Sequence, residues 1–394
     1  MPSPGALTGI VPVPPDRTEP SRTEPATAGP ASPADTRMPS DPGVMPPGLP
    51  HLHPPIEPYA CGEMDTGEGH VIYYEQCGNP DGLPVVVLHG GPASGCSPMQ
   101  RRFFDPARYR IVLFDQRGCG RSRPRGAVAG NDTPALLRDI EQLRRLLGIE
   151  RWTVFGGSWG ASLGIAYAAD HLSSVNGLIL RGAFLTGSRD LDWFFGGAGA
   201  LLPVAWHKLL ARIGLSQLQS EECELAGPAV LATLKRQLES SDAAIAGVAA
   251  AAWASWEDAV SRPGSGPPAS SAYPPAYPPA YPPVYPPASP PAEPLPSSRE
   301  LVDKYRVQAH YLVQQCLLGE ERLLAMARRL RSLPVELVHG RLDWVCRPVN
   351  AWQLHQAMPS SHLTWVARAG HSPYEPAMLE AIAQAIQRMG DGRR

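Results

Sequence analysis

Gly156-Gly157-Ser158-Trp159-Gly160 sets a serine among glycines, between an apolar run at 152–155 and a helix-like run at 161–169. A serine held on a tight strand-to-helix turn has the pattern of a nucleophile elbow: only small neighbours fit beside it, and its hydroxyl is pushed out at the top of a sheet. A free hydroxyl is a poor nucleophile, so it needs a base, a group to orient the base, and donors for the developing oxyanion. The chain supplies candidates in the order serine, acid, histidine. Asp343 follows the strand-like run 335–338 in HGRLDWVC, and His371 follows 362–366 in ARAGHSPYE. His371 would take the serine proton and pass it to the leaving group, while Asp343 would fix the imidazole tautomer. For the oxyanion, backbone N–H groups are expected from Trp159, just after the nucleophile, and from Gly91 in the His89-Gly90-Gly91-Pro92 loop. Asp115 in FDQRGCGRS precedes the elbow and suits a structural turn. His339 reads as buried and hydrogen-bonded, and His355 and His362 as ordinary helix and strand residues.

These groups meet only if successive strands deliver them to one sheet edge. Strand-like runs at 71–74, 83–88, 109–114, 153–155 and 177–180 alternate with helical spacing at 134–147, for which Thr133 is the expected N-cap and Gly148 the stop. Alternating strands and helices define an α/β fold, a mostly parallel sheet with helices on both faces. The alternation stops near Gly187 and resumes at Val335. The chain therefore divides into a core at 58–187 and 326–394 and a helical insert at 188–325, expected to cap the carboxyl ends of the strands, where ligands bind in open α/β sheets. Residues 1–57, rich in Pro, Ser, Thr and Ala, read as a disordered extension. Within the insert, 262–298 carries YPPAYPPAYPPVYPP, a proline-paired repeat read as exposed polyproline II. It reads as a tolerated loop expansion or as a PPxY-type ligand for an aromatic-grooved partner.

The 394 residues suffice for a large core, and 35 basic against 37 acidic residues leave a formal charge of −2 with no basic block, which argues against a nucleic-acid partner. Seven scattered cysteines without a C-x-x-C pair suggest reduced thiols and no zinc site. With no membrane-length apolar run and no signal-peptide pattern at the start, a cytoplasmic protein is expected. No metal or organic cofactor is implied.

LHGGPASG, FDQRGCGRSRP, FGGSWGASL, AAWASWE, VHGRLDWVC and AGHS, in this order, resemble the proline iminopeptidases (prolyl aminopeptidases) of the α/β-hydrolase superfamily. The resemblance spans about 65–185 and 300–385 plus the tryptophan-rich part of the insert. An epoxide hydrolase or dehalogenase would instead place an aspartate at position 158. The resemblance implies an α/β-hydrolase fold and a serine exopeptidase that releases N-terminal proline from small peptides. It also implies that Glu257 of WASWE holds the substrate amine and that Phe184 and Phe194 line the proline pocket. Three departures stand out. Ala93 replaces a loop glycine, the repeat replaces part of the cap rim, and Gln308 of Arg306-Val-Gln-Ala-His-Tyr-Leu312 stands where the family has a second amine-binding glutamate, with Leu312 in place of an aromatic. Gln308 keeps hydrogen bonding but drops a charge, which implies weaker amine binding or looser N-terminal specificity. The rival readings are a related aminopeptidase, amidase or esterase of that looser kind, and a non-catalytic scaffold displaying the PPxY array.

Overall fold

The computed structural model describes residues 51–218, 223–261 and 298–391. An eight-stranded sheet runs in the order β1-β2-β4-β3-β5-β6-β7-β8. β1 (Ala60–Asp65) and β2 (Val71–Gly78) pair antiparallel, and β2 pairs antiparallel with β4 (Tyr109–Phe114). From β4 onward every pairing is parallel, through β3 (Leu83–Leu88), β5 (Trp152–Gly157), β6 (Val175–Arg181), β7 (Val335–Gly340) and β8 (His362–Val366).

The central strands are mainly apolar because both faces are covered. Alternate residues serve opposite layers. Val86, Leu88, Val154, Leu178, Leu180 and Leu337 join one buried cluster, and Val85, Val87, Phe155, Ile179 and Val338 the other. On the first face lie α1 (Thr133–Leu146) and α2 (Trp159–Asp170), with α8 (Gly319–Arg328) and α9 (Pro348–Ala357). On the second lies α10 (Pro376–Asp391) against β6, β7 and β8. This is the mostly parallel sheet with helices on both faces expected from the alternation, and the α/β-hydrolase arrangement that the resemblance implies.

Between β6 and β7 come α3 (Ser188–Phe194), α4 (Pro203–Ile213), α5 (Cys223–Leu238), α6 (Ala243–Ser261) and α7 (Ser298–Leu312), which pack chiefly on one another. Trp206, Trp253 and Trp256 are fully buried among them, Trp206 against Trp256 at 5.5 Å between ring centroids and Trp253 edge-on to Phe195 at 5.0 Å. The aromatic residues of the insert are continuous with the buried cluster on the first face of the sheet. Its expected border at 325 falls inside α8, which packs on α2 and α9 with the core.

Two further local expectations change. Asp132, not Thr133, caps α1: its carboxylate accepts the Ala135 N–H at 2.8 Å. Thr133 sits one position inside and donates instead to the Cys316 carbonyl, 2.5 Å away. Residues 51–57, read as the tail of the extension, pack on the core. Leu52 and Ile56 lie against the second cluster, and the His53 N–H donates to the Arg102 carbonyl at 2.9 Å. The rest of the extension, and the repeat but for Ser298, lie outside the described residues. Among the described residues, no helix is long and apolar enough to cross a membrane.

Candidate active site

Ser158 lies between the end of β5 and the first turn of α2 with φ 56° and ψ −122°, a sparsely populated conformation for a non-glycine residue. The turn closes only because its neighbours are small. A Cβ on Gly156 would overlap the Gly160 carbonyl, and one on Gly160 the Leu88 carbonyl. As the first residue of α2, Trp159 has a backbone N–H with no acceptor within the helix, at its positive end.

Gly91 follows β3 with φ 113°, which only glycine adopts easily. The loop is pinned from below. The Gln116 N–H donates to His89 Nε2 at 3.0 Å, so the His89 proton sits on Nδ1 and goes to the Gly90 carbonyl, also at 3.0 Å. With that carbonyl held, the planar trans peptide turns the Gly91 N–H to the opposite side. Gln116 also accepts from Trp159 Nε1 at 2.9 Å and donates to the His89 carbonyl at 3.0 Å. One glutamine therefore ties the Gly90-Gly91 loop to the start of α2.

His371 and Asp343 meet on the far side. β7 pairs with β6 and β8 with β7, and beyond their ends Asp343 Oδ2 lies 2.8 Å from His371 Nδ1. Asp343 Oδ1 accepts the N–H groups of Val345 (3.0 Å) and Cys346 (2.8 Å). Burial would raise the Asp343 carboxyl, but the His371 imidazole, then His339 and the Cys346 N–H, outweigh it and hold the group below its ordinary range. Ionised Asp343 accepts a hydrogen bond from the His371 Nδ1–H, which leaves Nε2 free to accept. A Cβ on Gly182 would lie 3.3 Å from His371 Cε1, while the preceding residue, Arg181, accepts the Ser158 N–H at 2.9 Å. The imidazole thus stands beside the stretch of β6 that backs the serine.

Ser158 Oγ faces Cys346 Sγ at 3.7 Å, and among the described residues no hydrogen bond joins it to His371. Such contacts are often long without substrate and tighten in the complex. His339 is fully buried and accepts the Ala183 N–H at Nδ1 (3.1 Å), so its Nε2–H donates to the Cys346 carbonyl (3.0 Å). Burial lowers its pKa, and it stays neutral as a strut. Asp115 is spent on a turn, accepting from the Cys96 N–H, the Arg121 N–H and Arg121 Nε at 2.7–2.8 Å.

The insert brings Glu257 over this edge. Its Oε2 accepts from Tyr305 Oη at 2.6 Å and from Lys304 Nζ at 3.3 Å. Burial opposes its charge, but Lys304, Tyr305 and the more distant His371 together keep its carboxyl below the ordinary range. Gln308 is 4% exposed, and its Oε1 has no partner among the described residues. Phe184 is half-buried, two residues beyond Gly182. Phe194 is packed against Phe195 at 4.9 Å and Trp256 at 6.4 Å, and its carbonyl accepts from Trp256 Nε1. It is buried in the aromatic centre of the insert, and its role as pocket wall rests on the resemblance.

Sequence reasoning missed Cys346, Lys304 and Arg181. Arg181 is buried, and its Nη1 donates to the His371 carbonyl at 2.5 Å. Cys346 is the last residue of HGRLDWVC, a stretch singled out only for its aspartate.

A strained serine on a β-strand-to-helix turn, in a mostly parallel sheet whose later strands lead to a bonded histidine–aspartate pair, fits an α/β-hydrolase enzyme. The profile of the alpha/beta hydrolase fold family matches residues 84–377. The chain is 40% identical over 336 residues to the proline iminopeptidase of Xanthomonas citri, covering 85% of this chain and 97% of that one. It is 38% identical over 350 residues to the proline iminopeptidase of Arabidopsis thaliana, covering 86% and 82%. Among solved structures, proline iminopeptidase from Mycobacterium smegmatis superposes with TM-score 0.53 at 17% identity, covering 85% of this chain and 100% of that one, a likeness of fold. The chain belongs to the proline iminopeptidase family of α/β hydrolases.

Proposed function

We propose that the protein is a serine exopeptidase that removes N-terminal proline from small peptides through an acyl-enzyme. The observation that carries this reading is the His371–Asp343 contact of 2.8 Å beside the strained Ser158 elbow, in a chain 36–40% identical to proline iminopeptidases. Ser158 Oγ attacks the prolyl carbonyl as His371 Nε2 takes its proton, and Asp343 holds the imidazole and offsets its new charge. The N–H groups of Trp159 and Gly91 receive the oxyanion. His371 returns the proton to the leaving amine, and water then releases the acid by the same steps. Glu257 anchors the substrate amine, with Phe184 and Phe194 as apolar walls and Gln308 as a neutral acceptor.

Two measurements test this. Ser158→Ala should lower kcat on a prolyl arylamide by about 10⁴-fold with unchanged thermal unfolding. A fluorophosphonate should label Ser158 in the parent chain. A Ser158→Ala protein that releases proline at the parent rate overturns the assignment.

A further inference from the structure

The carboxylate assigned to the substrate amine already holds an ammonium. Lys304 Nζ lies 3.3 Å from Glu257 Oε2 and 4.7 Å from the centre of the Tyr305 ring, and Tyr305 Oη binds the same oxygen at 2.6 Å. Carboxylate plus aromatic face is the chemistry that recognises a cationic amine. The Tyr305 ring is fixed against Trp253 at 5.0 Å. One turn further along α7, on the same face as Lys304, stands the buried Gln308 with its unpartnered amide oxygen. The nearby Asp303 is taken by Arg306 at 3.5 Å. The Glu257–Lys304 pair sums to zero charge, and Gln308 adds none.

We infer that Lys304 is a specificity-determining residue and that the protein also hydrolyses small-ring acyl amides and esters carrying no ammonium. A site with an unpaired buried carboxylate rejects a neutral acyl group, because binding it strands a desolvated charge. Here Lys304 keeps Glu257 paired when the acyl group is neutral. A substrate ammonium must instead share or displace Lys304, so part of its attraction is cancelled. The chemistry is unchanged: the Ser158 Oγ–carbon bond forms, the carbon–nitrogen or carbon–oxygen bond breaks, His371 passes the serine proton to the leaving group, and water completes hydrolysis.

This inference rests on Glu257 receiving the amine, and the test separates the two. Prolyl and cyclopentanecarbonyl arylamides, alike except for the ring nitrogen, are compared on the full chain. The parent should favour the prolyl substrate by less than about tenfold in kcat/KM. Lys304→Met should lower KM for the prolyl substrate by about five- to tenfold and, by leaving Glu257 unpaired, lower kcat/KM for the cyclopentanecarbonyl substrate by a similar factor. Gln308→Glu should act in the same direction, and Lys304→Gln serves if the methionine variant is poorly soluble. A parent preference above about 100-fold, or a Lys304 variant whose selectivity does not rise, overturns the inference. If Glu257→Gln leaves prolyl selectivity intact, the amine assignment falls, and the inference with it. If neither substrate is cleaved, the peptidase reading falls.

Discussion

At the scale of single residues, the proposed nucleophile has a sulfur for a neighbour. Cys346 Sγ is buried 3.7 Å from Ser158 Oγ. Burial first, then the charges of Asp343 and Asp190, push its thiol well above the ordinary range, so it stays protonated and unreactive as a thiolate. A thiol is a weak, polarizable hydrogen-bond partner that does not compete strongly for the serine proton. Cys346→Ser would place a stronger acceptor there and should lower kcat by about tenfold with KM little changed, whereas Cys346→Ala should stay within about threefold. Steady-state kinetics on a prolyl arylamide decide it, and alanine being the worse of the two would mean the sulfur assists. Ser158, Asp343 and His371 could be picked out because each sits just after a strand-like run, in the chain order such sites follow. Cys346 and Lys304 could not, because the partners that give them meaning, Ser158 and Glu257, lie 188 and 47 residues away.

At the scale of elements, the strand–helix alternation was readable because buried parallel strands need unbroken apolar runs and surface helices need a stripe. Ends were harder. Thr133 is as good a cap by type as Asp132, and what separates them is the distant Cys316 carbonyl that claims the Thr133 hydroxyl. Leu52 and Ile56 lacked any period, since isolated apolar residues in a proline-rich stretch look alike whether or not a surface is there to receive them. On α1, Glu141 is nearly buried among Arg144, Arg145 and Tyr167. Burial works against its charge, but Arg144, Tyr167 and Arg145 bring its pKa down to about 2. A carboxyl depressed in the folded state stabilises the fold fully above its unfolded value near 4.3 and loses that contribution as pH falls toward 2. The term is about 3 kcal/mol at neutral pH. Glu141→Gln should therefore lower the unfolding free energy at pH 7 and flatten its decline between about pH 5 and pH 2, as urea titrations across that range would show. Equal slopes would remove Glu141 from the acid response.

At the scale of the whole molecule, the insert was recognisable as a break in alternation, but its border was not. α8 continues the helical composition of the insert while packing on α2 and α9. Composition reports that a segment is helical, and only packing reports to which layer it belongs. The proline–tyrosine repeat falls between α6 and α7, the two helices that carry Glu257 and Lys304. Read as a tolerated expansion, its replacement by a short Gly/Ser linker should leave kcat/KM on prolyl arylamides within about twofold. A larger loss would tie the repeat to catalysis.

The sheet's order in space also sets an order in time. Ser158 follows the fifth strand made, whereas Asp343 and His371 follow the seventh and eighth, which close the edge of the sheet beside β6. During synthesis the serine leaves the ribosome long before either proposed partner exists. On the proposed roles of Asp343 and His371, a nascent or truncated chain would carry an inert hydroxyl until β7 and β8 dock and α10 covers them. Hydrolytic competence would then arrive only with the last strands of the sheet.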